Sequence, residues 1–137
     1  MKEARPIQAA LRAGALAAVL CAIAGSGNGQ SILQFDRWMQ KIERRSQSVQ
    51  RHITANDAPS AVADAREIGE LYRLMEDYFR QRGDAAEAVR ISNDGATLAD
   101  AVVKSLERSD YEAASRSAIS IARACRDCHF QYKPLDP

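Results

Sequence analysis

From Ile32 onward the apolar residues of this chain recur at intervals of three and four, and nowhere do they alternate strictly as in a half-buried strand. Four such stripes follow one another. The first is Ile32, Phe35, Met39, Ile42, Val49 and Ile53, with Ser46 in its one polar position. The second is Ala61, Ala65, Ile68, Tyr72, Met75 and Phe79, and the third Ala88, Ile91, Gly95, Leu98, Val102 and Leu106. The fourth is Tyr111, Ala114, Ala118, Ile121, Cys125, Cys128 and Tyr132. Each is the pattern of a helix that buries one seam against its neighbours.

Start and stop signals fall between the stripes. Ser31 with Gln34, Asp84 with Glu87, and Ser109 with Glu112 have the spacing of capping boxes. Asp57 with Pro59 can open the second helix, and Pro134, lacking an N–H, ends the fourth. The connections at Thr54–Ser60, Gln81–Gly83 and Arg108–Ser109 are short, so consecutive helices should be antiparallel neighbours. Glu43, Arg44, Arg51, Glu67 and Glu70 lie off the stripes and read as a solvated face. The predicted fold is all-α, an antiparallel up-down-up-down four-helix bundle with no repeat and no second domain.

Composition changes the picture at the N-terminus. Lys2, Arg5 and Arg12 form a basic leader to an uncharged, mostly apolar run from Ala13 to Ala24. That run is too short to span a hydrocarbon core, which takes about 20 apolar residues, but it has the size of a signal-peptide core. Ala22-Ile23-Ala24 offers small residues at alternate positions, so residues 1–24 are read as a cleaved signal peptide and 25–137 as the bundle. Gly25–Gln30 is a polar strip between them. Cys21 does not read as a lipid anchor, because Leu20 stands where a small residue is wanted. Cleavage would take the net charge from +1 to −1 and leave two cysteines, Cys125 and Cys128. The expected compartment lies outside the cytoplasm. Balanced charge gives no basic field for nucleic acid, and no further segment is long enough for stable membrane insertion.

The remaining chemistry lies in Cys125-Arg126-Asp127-Cys128-His129. C-x-x-C-H is the attachment motif of c-type haem. On a helix, Cys125 and Cys128 share a face from which two sulfurs can add to the two vinyl groups of one porphyrin, and His129 projects where it can coordinate the iron. Zinc would need ligands beyond this cluster, and only His52 is available. A dithiol redox motif is expected beside a βαβ unit, and a disulfide is ill suited to positions i and i+3 of a regular helix.

A helical bundle carrying C-x-x-C-H in its last helix resembles the class II cytochromes c, the cytochrome c-prime family. The specific part of the likeness is Cys125-x-x-Cys128-His129-x-x-Tyr132-Lys133. The resemblance implies one haem c held through Cys125 and Cys128, with His129 as an axial ligand. It also implies that the residue opposite comes from the first helix at Met39-Gln40-Lys41-Ile42, methionine there marking low-spin electron carriers. Met39 lies about eight residues into its helix, roughly 12 Å along the axis and level with His129. Met75, on the second helix, is the rival, with core packing as the reading for either thioether that does not bind iron. His52 is about 30 Å from that end of the helix and reads as a surface residue. Where family members often place a propionate-binding arginine, this chain has Phe35, with Arg37 on another face. Trp38 either flanks the haem edge or covers the bundle, and Lys133 is a surface residue or tunes the exposed side of His129.

The expected protein is a periplasmic electron carrier with His/Met-ligated haem, working with redox partner proteins. No acid–base pair or activated nucleophile suggests an enzyme. A homodimer through the first two helices is open under the resemblance. The alternatives are a high-spin haem protein that binds or buffers small gases such as nitric oxide, and a helical interaction module in which the motif is incidental.

Overall fold

The computed structural model describes residues 31–132, with side chains to His129. The leader, Cys21, the Gly25–Gln30 strip, the Tyr132 side chain, Lys133 and Pro134 lie outside the described side chains or residues. Four helices make up the rest: α1 Ile32–Thr54, α2 Ala58–Arg82, α3 Ala86–Glu107 and α4 Tyr111–Tyr132. There is no strand among the described residues. The architecture is all-helical, consistent with a four-helix bundle. Helices meet in chain order, α1 with α2, α2 with α3 and α3 with α4, and α1 meets α4 more sparsely.

Two of the helix starts form as their sequences dictate. Ser31 Oγ accepts the Gln34 N–H at 3.2 Å, and Asp57 Oδ1 accepts that of Ser60 at 3.2 Å, with Pro59 in the first turn. The other two differ from the expected capping boxes. α3 starts from Ala85 with no side-chain cap, because Asp84 turns to Arg82 at 3.6 Å and Glu87 to Arg90 at 2.9 Å. At α4, Ser109 takes a positive φ of 59° to leave α3, so the cap passes to Asp110, whose carboxylate accepts the Ala113 N–H at 2.9 Å. α2 ends on Gly83 at φ 74°, a left-handed position that glycine takes without a Cβ penalty.

The stripes form one core. Ile42, Ile68, Ile121, Val49 and Val102 are its fully buried branched residues, each worth about 1.5–3 kcal/mol on removal from water. At one end Phe35 stacks on Tyr78 with centroids 4.9 Å apart and meets Phe79 edge-on at 5.2 Å. Phe35 is thus committed to aromatic packing. Trp38 is buried in the same core while its neighbour Met39 is half-buried and packs against it from the edge. The burial line of α1 therefore runs through Trp38, and Met39 is displaced toward a cavity.

Glu67 is not part of a solvated face. It is half-buried and pairs with Lys41 and Arg45 of α1. Beside it the buried Asp64 accepts a bond from Arg45 Nη1 at 2.9 Å, and His52 Nε2 lies 3.6 Å from its other oxygen. His52 is thereby held between Asp64 and Asp57 at the α1–α2 corner, about one-third exposed.

Candidate functional site

Where α1 and α4 meet sparsely, a cavity of about 700 Å³ opens between them and is floored by α2. α1 contributes Met39, Ile42, Glu43, Ser46, Gln47 and Gln50; α2 contributes Tyr72 and Met75; α4 contributes Ala122, Cys125, Arg126, Cys128 and His129. No α3 residue lines it. The volume lies within the usual range of about 300–1,000 Å³ for small-molecule and cofactor sites.

All four sequence-predicted site residues reach this one cavity. Cys125, Cys128 and His129 present two thiols and an imidazole from consecutive turns of α4. Met39 faces it from α1, and its rival Met75 also reaches the wall, buried on α2 and continuous with the core. His52 and Arg37 do not line it. Among the described residues no group of three or more His, Cys, Asp or Glu side chains converges as a metal cage.

The thiols are free rather than disulfide-linked. Burial pushes the Cys125 thiol up, a shift that its bond with Tyr72 opposes and the nearby Glu43 charge reinforces. Burial, with the neighbouring Cys125, pushes Cys128 up to about 11. Both sulfurs are thus held as thiols at neutral pH, which disfavours disulfide exchange, whose nucleophile is the thiolate.

Three further residues of the wall were not read from the sequence as part of the site. Tyr72 places its hydroxyl 3.2 Å from Cys125 Sγ; burial, together with the adjacent sulfurs, raises its phenol well above the ordinary value. Glu43, expected on a solvated face, is exposed yet lines the cavity. Ser46 is the lone polar position of its stripe. Its Oγ is buried without a hydrogen-bond partner among the described residues, on the cavity wall. The cavity walls are otherwise dominated by apolar atoms, with polar side chains spaced along α1 and at Arg126.

Comparison of the chain with models of known protein families, with curated proteins and with solved structures finds no match.

Proposed function

We propose that the chain is an exported c-type cytochrome resembling the class II family, carrying single electrons through one haem c bound covalently at Cys125 and Cys128. The observation that carries this reading is the convergence of Cys125, Cys128 and His129 on one large apolar cavity that Met39 faces from another helix. The donor set suits the group. Two thiols on one helical face offer two attachment points, an imidazole offers a strong iron ligand, and a thioether offers a soft one. The apolar walls and the volume suit a flat, largely apolar ring.

In this reading haem supplies one-electron iron chemistry when bound, and the chain supplies its setting. Cys125 and Cys128 would anchor it, and His129 and Met39 would supply the donors to its iron. Ile42 and Met75, on the cavity wall, would help exclude water from it, and the apolar surroundings would disfavour the more highly charged oxidation state. No residue is assigned to acid–base or nucleophilic work, so the proposed role is transfer to and from redox partner proteins rather than catalysis. An up-down-up-down arrangement accords with the order of the pairs: α1 meets α2 through Phe35–Tyr78 and then Arg45–Asp64, and α2 meets α3 through Arg73–Asp100 and then Glu76–Asn93, so that moving forward along one helix moves backward along the next. Export to the periplasm follows from the leader. No described helix is long and apolar enough to cross a membrane.

A second reading, a gas-binding haem protein with an open sixth position, is favoured by one observation. Met39 is only half-buried, and Met75 is committed to core packing. Absorption spectra of the ferric and ferrous protein, made alongside haem-attachment machinery, separate the two. Low-spin ferric haem with a methionine-to-iron charge-transfer band supports the electron carrier. High-spin ferric haem supports the gas binder, and a chain without haem contradicts both.

A further inference from the structure

We infer that Tyr72, seated by Gly95, is a positioning residue that holds the Cys125 sulfur for thioether formation; the inference rests on the haem reading above. Tyr72 falls on the buried stripe of α2, where a phenylalanine would fill the same space. Its hydroxyl is therefore an added polar group on a side chain only 2% exposed. Left unpaired, such a buried group is costly. Its partner is Cys125 Sγ at 3.2 Å, 53 residues away in the chain and on the cavity wall.

The position of that hydroxyl is set from a third helix. A Cβ at Gly95 of α3 would stand 2.6 Å from both Cε1 and Cζ of Tyr72, the end of the ring that carries the oxygen. Real Cβ atoms do not approach this closely, so only glycine at 95 leaves room for the ring where it lies. Helices α2, α3 and α4 thus combine to fix one sulfur. Cys128 is buried as well, but no described residue gives it an equivalent hydrogen bond. The two attachment points are chemically unequal.

The step served is an addition. A bond forms between Cys125 Sγ and one carbon of a haem vinyl group, the thiol hydrogen passes to the other carbon, and the vinyl π bond is consumed. No electrons enter or leave, so no oxidant or reductant is required. The linked sulfur keeps a lone pair that can accept the Tyr72 hydroxyl, so the contact outlasts the reaction.

The test compares full-length wild type, Tyr72→Phe and Gly95→Ala, each produced with haem-attachment machinery. Peptide mass spectrometry reads linkage at Cys125 and Cys128 separately. Tyr72→Phe keeps the ring and removes only the oxygen, whereas Gly95→Ala keeps the oxygen and displaces the ring. Both should lower the ratio of Cys125-linked to Cys128-linked haem by roughly two- to tenfold, the factor equivalent to one hydrogen bond. The resulting singly linked haem, with one vinyl retained, shifts the ferrous absorption to longer wavelength. A merely structural role would reduce both linkages together and leave the ratio unchanged, which would overturn the inference. Loaded wild type with an unchanged ratio in both variants overturns this inference alone, while haem-free wild type overturns the haem reading with it.

Discussion

The α2–α3 seam and the α1–α4 seam are built from opposite choices of residue. α2 and α3 bury many small residues, Ala61, Ala65 and Gly69 on one and Ala88, Gly95 and Ala99 on the other, with Gly69 against Ala99 and Gly95 against the Tyr72 ring. A Cβ on Gly69 would lie 3.5 Å from that of Ala99, so little separates the two helices there. Across α1–α4 the lining mixes small Ser46 and Ala122 with long Met39, Gln47, Gln50 and Arg126, and the helices enclose a cavity instead of closing. Close packing maximises dispersion and apolar burial, whereas a cavity forfeits both unless something fills it. One seam closes on small residues, and the other leaves the cavity that the proposed haem would fill.

Substitutions should separate the two sides. Replacing both Cys125 and Cys128 with alanine should abolish covalent haem completely, read as loss of the added mass, while far-ultraviolet circular dichroism still reports a helical chain. Ile68→Ala, at a fully buried position of α2, should cost about 2–5 kcal/mol in denaturant unfolding. That substitution should leave the Cys125 and Cys128 linkages intact. The methionines divide the same way. Met39→Ala should turn low-spin ferric haem high-spin with little loss of stability. Met75→Ala should cost about 2–5 kcal/mol without changing the spin state, and a spin change there instead would reassign the ligand.

Smaller effects sharpen the contrast. Ser46→Ala removes a buried, unpartnered hydroxyl from the cavity wall and should stabilise the haem-free chain by about 1 kcal/mol in urea unfolding. The smallest effect is electrostatic. The Glu67 carboxyl is held below the ordinary 4.5, chiefly by its bond with Lys41 and also by Arg45, against an opposing cost of burial. A lowered carboxylate value stabilises the folded chain above the ordinary value, and that contribution disappears as pH falls through the lowered one. The stability gap between wild type and Glu67→Gln should therefore be about 1 kcal/mol or less at pH 7 and vanish as pH falls through the lowered value.

What the sequence made legible follows the range of the interactions. Four helices were readable because a stripe is a local periodicity, and Ser31 and Asp57 were readable as caps because each acts within three residues. The caps at α3 and α4 were misplaced. At α3 Asp84 pairs with Arg82 and leaves Ala85 uncapped, and at α4 a positive φ at Ser109 hands the cap to Asp110. A 3,4 stripe also admits either Trp38 or Met39 as its buried member, and only packing against the other helices decides for Trp38. Asp64 joins the core because Arg45 reaches it from 19 residues away. That Cys125, Cys128 and His129 line one cavity was legible because their i, i+3, i+4 spacing puts them on neighbouring positions of one helix face. Tyr72 was not, since its bond to Cys125 and its dependence on Gly95 span three helices.

The most direct measurement is the intact mass of the protein made in cells competent for export and haem attachment, followed by mapping of the modified peptide. The account predicts the mass of the cleaved chain plus one haem, localised to the peptide that contains Cys125 and Cys128. An unmodified chain recovered from cells that load a control cytochrome would contradict it.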